Sequence, residues 1–380
     1  MKILIDARFY GLENTGIGRY TLELVNNLQK IDKKNKYSVL LKEKYFRRLN
    51  LPKNWRKIKA EIKHYSLAEQ ILIPQIIDKE NPDLVHFVHF NVPVFCPEPF
   101  IVTIHDLLMH KQKGKEATTL PFGIYLLKRL GYRLVFDSAV KKSKAIVCPS
   151  NFIKKEIVDF YRLPPEKVYV TYEGIPVKAI REGSADKILQ KYNLQKPYFI
   201  YTGNAYPHKN LERAIEAVVS LNKDSEQVIN LALVCARNVF VQRLEKIIKR
   251  LKADNFVKIL GFVPDADLTV LYKNSVAFLF PSLSEGFGLP GLEAMAAGTL
   301  VLTSDISVFR ETYGKIPFYF NPYDYSSIEK KLKEVLALGE EERSNWILGG
   351  QKFARRYSWF KMAKQTIKVY EDCYRLRSSQ

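Results

Sequence analysis

The sequence predicts an α/β protein built from two doubly wound, Rossmann-like domains. Three observations carry this expectation. Short, nearly continuous apolar runs recur along the 380 residues. Stretches of helical character separate them. The whole series then occurs a second time. Apolar runs without alternation mark strands covered on both faces, and helices between successive strands make the sheet parallel.

In chain order, the first series reads Ile3–Ile5, Tyr37–Leu41, Leu84–Phe87, Ile101–Ile104, Ala145–Cys148 and Val168–Val170. The second reads Tyr198–Thr202, Leu231–Val234, Val257–Leu260, Val276–Phe280 and Leu300–Thr303. The seam is expected between Gly174 and Pro197, where Gly174, Pro176 and Gly183 interrupt the pattern before a short helix, Asp186–Tyr192. This gives an N-terminal domain at 1–180 and a C-terminal domain at 181–361. Ligands of such sheets bind beyond the carboxyl ends of the strands, so two facing domains would hold an active site in the cleft between them.

Composition narrows the function classes. Apolar residues make up 47% of the chain, enough for a core in each half. No run of about eighteen apolar residues could cross a bilayer. The chain enters its first strand at Lys2 without an apolar leader, so a cytoplasmic location is expected. Cys96, Cys148, Cys235 and Cys373 are far apart and read as reduced, buried thiols, not a disulfide framework or a zinc site.

The formal net charge is +20. Residues 1–180 hold 31 basic and 18 acidic side chains, so most of the excess lies there. It peaks in Lys42–Lys59, where Tyr45, Phe46 and Trp55 interleave the cations. A second stretch runs from Lys111–Lys115 into Leu120–Arg133, with apolar residues at roughly helical spacing. Basic, aromatic-bearing amphipathic segments suit an anionic membrane surface. A solvated charged face with ordinary core contacts accounts for them equally well. Nucleic acid is not expected, because no recognition motif accompanies the charge.

Several strand ends carry groups able to do chemistry. Val276–Phe280 runs into Ser282–Ala296, where glycines open the backbone, Pro290 suits a first helical turn and Glu285 and Glu293 flank the turn. A Gly-rich loop before a helix N-terminus binds anions, and carboxylates accept hydrogen bonds from sugar hydroxyls. Gly203–Leu211 follows the first strand of the second domain and places Lys209 before a helix. Thr15-Gly16-Ile17-Gly18-Arg19-Tyr20 follows the first strand, and its lack of a third glycine counts against a dinucleotide site. His105 and Asp106 leave an apolar strand together. His86 and His89 stand three apart on or near a strand, where they face opposite sides, so a shared metal is not expected. His86, near a strand end, is expected to line the cleft.

Glu285-Gly-Phe-Gly-Leu-Pro-Gly-Leu-Glu293-Ala-Met-Ala resembles the donor-site motif of the retaining glycosyltransferases of family 4, which have the GT-B fold. The resemblance implies a C-terminal helix, about 362–380, crossing back to the first domain. It implies that Lys209, with the N–H groups of Phe287, Gly288 and Leu289, stabilises the departing diphosphate. Glu285 would hold sugar hydroxyls, and Glu293 the nucleotide ribose. Gly203, His208 and Gly286 fall in the same donor motifs. Asn204 stands where many members carry an arginine, which leaves Arg19 or Arg237 as a second cation. Gly16, Gly18 and Arg19 would reach the donor across the cleft. His105 would contact the acceptor, with Asp106 as helper or base. Phe262 and Val263 would meet the nucleobase through main-chain atoms, with ordinary packing as the rival for Phe262. Arg310 and Glu311 match a donor-side segment only loosely.

Asp6-Ala-Arg8, TGIGRY and His105-Asp106 most resemble the mannosyltransferase-like branch. GDP-mannose is therefore the expected donor, without an essential metal. The acceptor would be a glycan or lipid-linked saccharide in cell-envelope polysaccharide synthesis, with the enzyme peripheral on the inner membrane face. A nucleotide-sugar epimerase and a non-catalytic binder of polyanions or membranes are the alternatives. The missing dinucleotide fingerprint counts against the first, and the second does not account for the Glu285–Glu293 loop.

Overall fold

The computed structural model describes residues 1–97, 99–111, 122–175, 185–235 and 239–378. The chain forms two compact units, Met1–Gly174 with Ser358–Gln380, and Ile175–Tyr357.

The first unit is built on seven parallel strands: β1 (Lys2–Asp6), β2 (Lys36–Leu41), β3 (Trp55–Lys59), β4 (Leu84–Phe87), β5 (Phe100–Thr103), β6 (Ala145–Cys148) and β7 (Val168–Val170). Their order is β3-β2-β1-β4-β5-β6-β7. The direction of winding reverses between β1 and β4, which makes that point the natural crevice. One face of the sheet packs Leu4, Val85, Val102 and Ile146 against Ile73, Ile77, Phe136, Val140 and Ile157 of the covering helices. Each such side chain contributes about 1.5–3 kcal/mol when fully buried. The helix Trp359–Ser378 returns to this unit and packs along the helix Thr15–Ile31. Gly174 lets it close in, since a Cβ there would stand 2.0 Å from the Trp359 nitrogen.

The second unit has six parallel strands: β8 (Tyr198–Thr202), β9 (Asn230–Val234), β10 (Val257–Ile259), β11 (Ala277–Phe280), β12 (Val301–Ser304) and β13 (Phe318–Phe320). Their order is β10-β9-β8-β11-β12-β13, so the winding reverses between β8 and β11. Phe199, Leu233, Phe278 and Leu302 form a sheet core with no exposed side, as their uninterrupted apolar runs require.

Two strands, β3 and β13, escape the sequence reading. β3 carries Arg56, Lys57 and Lys59 and pairs with β2 only, as an edge strand that tolerates charge. Its place in the sheet corrects the picture of Lys42–Lys59 as one amphipathic segment. That stretch is a short helix, Glu43–Arg48, followed by β3. Trp55 is buried and stacks on Tyr37 with ring centroids 4.2 Å apart, so this aromatic residue serves the fold. His86 is also corrected. It is fully buried, with Nδ1 2.7 Å from the Tyr370 hydroxyl and Nε2 2.8 Å from Thr103 Oγ1. Lys113, Lys115, Leu120, Pro176, Gly183 and Arg237 lie outside the described residues.

Candidate active site

In the second unit, the loops after β8 and β11 leave adjacent strands at the reversal point. Gly203 follows β8 with φ of 151°, and a Cβ there would meet the Tyr201 hydroxyl at 2.6 Å. Tyr201 donates to the Asn204 carbonyl at 2.8 Å, which holds the loop close to the strand. A single turn, Pro207–Lys209, follows, and Asn210 then takes a left-handed conformation before the helix Leu211–Lys223. The Asn210 amide donates to the carbonyls of Pro281 and Pro322, at 3.1 and 2.8 Å. Leu283 N–H donates to the His208 carbonyl at 2.8 Å. These bonds tie the two loops together.

The result is a contact between two residues 76 positions apart. Lys209 Nζ lies 2.5 Å from Glu285 Oε1, with side chains only 14% and 13% exposed. His208 beside it is neutral, because burial and the Lys209 charge push its pKa down to about 3.

Glu285 leads into the helix Leu289–Ala297, whose first N–H groups have no partner within the helix. Gly288 caps it at φ of 96°, and a Cβ there would stand 2.2 Å from the Tyr313 hydroxyl oxygen. Tyr313 is fully buried and donates to the Gly288 carbonyl. Phe287 is buried against Tyr357. The loop is therefore clamped from below while Glu285, Gly286 and Leu289 remain partly open. Glu293 follows one turn into the helix and is also partly buried. The acids do not cap this helix, since its first turn holds none.

Phe262 is 75% exposed next to buried Val263, a conspicuous position for an aromatic ring. Arg310 forks onto Asp305 with two bonds, at 2.6 and 2.7 Å, and stacks over Tyr319. No cluster of three or more His, Cys, Asp or Glu side chains suited to a metal occurs among the described residues.

In the first unit, His105 follows β5 and points its Nε2 at the Val88 carbonyl, 3.0 Å away. Its Nδ1 lies 3.4 Å from Glu173 Oε1, and its ring meets Tyr20 edge-on at 4.8 Å. Glu173 was missed by the sequence reading. Its signal was available: like His105, it sits just beyond the carboxyl end of a strand, here β7. Asp106 is exposed and its Oδ1 accepts the Leu108 N–H at 2.8 Å.

Gly16, Gly18 and Arg19 stand in the first turns of the helix Thr15–Ile31. Gly18 is buried, and a Cβ would come within 1.9 Å of the Gly11 carbonyl oxygen, so packing alone demands glycine there. Gly16 is exposed, with open space where its Cβ would be.

Arg8, at the reversal point, is fully buried. Its guanidinium reaches Asp6 Oδ1 at 2.8 Å, Asp6 Oδ2 at 2.5 Å and Glu69 Oε1 at 2.7 Å. Burial pushes the Asp6 carboxyl up, but the charge and hydrogen bonds of Arg8 outweigh it and hold the pKa below the usual value.

Comparison with known proteins decides the family. Residues 14–179 match the model of glycosyltransferase family 4, and residues 184–353 match that of glycosyl transferases group 1. The chain belongs to glycosyltransferase family 4. This family 4 enzyme is 27% identical over 391 residues to the O-antigen chain mannosyltransferase B of Escherichia coli, covering 98% of this chain and 100% of that one. It is 25% identical over 344 residues to the O-antigen chain mannosyltransferase RfbU of Salmonella typhimurium, covering 88% and 90%. Among solved structures, Anabaena HepE in complex with UDP and glucose matches with a TM-score of 0.76 at 16% identity, covering 98% and 100%. WaaG, a glycosyltransferase involved in lipopolysaccharide biosynthesis, matches with a TM-score of 0.73 at 16% identity, covering 97% and 99%. The fold of this transferase is GT-B, with a Rossmann-like sheet in each unit.

Proposed function

We propose that this family 4 enzyme is a retaining hexosyltransferase. It moves mannose from GDP-mannose to a glycan or lipid-linked saccharide in envelope polysaccharide synthesis. The observation that carries the reading is the Lys209–Glu285 pair, set between two loops at the reversal point of the second sheet. Donor entry exchanges this contact. The diphosphate takes over the Lys209 ammonium, and the freed Glu285 carboxylate accepts hydrogen bonds from the hexose.

Departure of the nucleoside diphosphate places negative charge on its β-phosphate. Lys209 and the N–H groups at the start of the helix Leu289–Ala297 stabilise that charge without reorganising. The acceptor hydroxyl attacks from the side the phosphate leaves, and its proton passes to a phosphate oxygen. Glu293 holds the ribose, Phe262 and Val263 border the base, and His105 positions the acceptor with Asp106 nearby. His105 suits that task because its orientation is already set by Val88, Tyr20 and Glu173. No divalent ion is required in this scheme, and reversible loss of turnover on chelation would overturn that part.

Mannose is favoured by the Asp6-Ala-Arg8 and TGIGRY segments and by the names of the relatives in Escherichia coli and Salmonella. Mass-spectrometric product analysis with a panel of UDP- and GDP-hexoses tests it. Turnover with GDP-mannose alone supports the assignment, and preference for a UDP-sugar overturns it.

A peripheral membrane location belongs to the same proposal. No helix among the described residues is long and apolar enough to cross a membrane. The helix Phe122–Lys142, however, exposes Leu127, Leu130 and Leu134 at one-turn spacing, with Lys128 and Arg133 among them. Such a face suits an anionic interface. Flotation with anionic liposomes at physiological salt should recover the protein, and Leu127→Ser with Leu130→Ser should release it.

A further inference from the structure

Tyr65 stands at the carboxyl edge of the first sheet with features that packing does not explain. The segment after β3 crosses from the edge strand toward the reversal point. On the way, Arg8 Nη1, just beyond β1, donates to the Ile62 carbonyl at 3.4 Å. The segment delivers the Tyr65 ring to 6.3 Å from the rings of both His89 and Phe90, which follow β4. The residue is 64% exposed. Surrounding protein still crowds its hydroxyl and, with the charges of Glu69 and Asp106, pushes its pKa up. The ring therefore stands among other groups, not on a bare loop tip.

The backbone of Tyr65 is left-handed, with φ of 60°, where a bulky side chain is strained. A buried network holds it there. The Tyr65 N–H donates to Glu69 Oε2 at 2.8 Å, and the Asn91 amide donates to the same oxygen at 2.7 Å. Arg8 holds Oε1 of the fully buried Glu69 at 2.7 Å. A local role in helix entry does not account for the ring. Tyr65 precedes Ser66, the N-cap of the helix Leu67–Glu80, where an apolar residue often packs onto the fourth helical position. That position is Gln70, whose side chain instead accepts from the Val94 N–H at 2.8 Å. A singly exposed aromatic residue is common, but it needs no strained backbone to stay exposed. Strain kept up by a buried ion network, for a ring left largely in water, marks a ligand clamp.

We propose that Tyr65 is a specificity-determining residue, a stacking platform for a pyranose ring of the acceptor saccharide, with Asp106 at its rim. The proposal rests on the reading of His105 as the acceptor-side group. A pyranose presents C–H groups on one face and hydroxyls around its edge. The Tyr65 ring takes the C–H face, which removes apolar surface of both partners from water. Asp106 Oδ1 is engaged by the Leu108 N–H, and the carboxylate keeps capacity on its other oxygen for sugar hydroxyls.

Saturation-transfer NMR of the full chain with the methyl glycosides of mannose, galactose, glucose, rhamnose and N-acetylglucosamine tests the platform. At least one should bind, with transfer strongest to its ring C–H protons. Tyr65→Ala should weaken that glycoside by about tenfold, and Tyr65→Phe, which keeps the ring, should retain it. Thermal melts separate this role from a structural one. Tyr65→Gly relieves the left-handed strain, so it should melt above Tyr65→Ala while binding the glycoside no better. Failure of all five glycosides to bind, or binding indifferent to Tyr65→Ala, overturns the proposal. So does a Tyr65→Phe chain as weak as Tyr65→Ala, or a Tyr65→Gly chain that melts below Tyr65→Ala. Refusal of GDP-mannose by the parent chain would count against the donor reading alone, because the glycoside titration needs no turnover.

Discussion

Replacing Lys209 by methionine, Glu285 by glutamine, and then both, probes the pair on which the functional reading rests. The contact is 2.5 Å long and its two side chains are about one-seventh exposed. It lies between two limits. Fully exposed ion pairs contribute about 0–1 kcal/mol, whereas breaking a sealed pair costs about 3–5 kcal/mol through the charge left behind. A coupling of about 2 kcal/mol is expected for this intermediate burial. Each single variant should therefore destabilise the Ile175–Tyr357 unit, and the double variant should lose clearly less than the sum. Turnover should respond differently. Lys209→Met removes a preorganised charge from the leaving diphosphate, which costs about 3–4 kcal/mol, or roughly a hundred- to a thousand-fold in kcat. Glu285→Gln does not restore it. Urea unfolding gives the stability cycle, with the transitions of the two units fitted separately. Release of nucleoside diphosphate gives kcat. A Lys209→Met enzyme that keeps kcat within about threefold of the parent would refute the assigned role. Coupling below about 0.5 kcal/mol would refute the energetic argument.

Three further outcomes follow. Gly288→Ala combines a positive φ with a Cβ 2.2 Å from the Tyr313 hydroxyl, and should lower stability by about 2–3 kcal/mol. Tyr313→Phe in the same chain should recover part of that loss in thermal melts, since it removes the nearest contact. Arg8→Met leaves Asp6 and Glu69 buried without their cation and should cost the first unit about 3–5 kcal/mol, with most of it restored when Asp6→Asn and Glu69→Gln are added. Acid should act through His86 and His208, each held neutral with its pKa pushed down to about 3 by burial. Between that value and the unfolded value near 6.5, the unfolded chain binds more protons, so stability falls as the pH is lowered. Each histidine should account for about 2 kcal/mol lost by about pH 5. Urea midpoints at neutral and mildly acidic pH measure this, and an unchanged pH slope in His86→Gln would refute the assignment for His86.

Much of the site was legible because motif chemistry is local. The Gly-rich turn, Pro290, Glu285 and Glu293 lie within one short segment, and Lys209 lies within another. What joins them was not legible. Asn210 bridges to Pro281 and Pro322 through a left-handed backbone, and no spacing in the chain announces such a bond. Gly18 is a different case. The helix that opens at Thr15 was legible, but not that Gly18 would be packed against the Gly11 carbonyl. β3 was hidden because an edge strand needs only one apolar face, so its cations masked it.

The sequence by itself determined the class of fold, since uninterrupted apolar runs between helices can be buried only in parallel sheets covered on both sides. It also determined the chemical inventory: an acid-flanked glycine turn, a lysine before a helix, and a basic first half. Only the tertiary structure decided which of these meet. Strand order places β8 beside β11, and their loops bring Lys209 to Glu285 across 76 residues. In the first unit, the segment after β3 carries Tyr65 to the rings of His89 and Phe90 beyond β4. Side-chain identity is written residue by residue, but proximity between distant residues exists only once the sheet has chosen its neighbours.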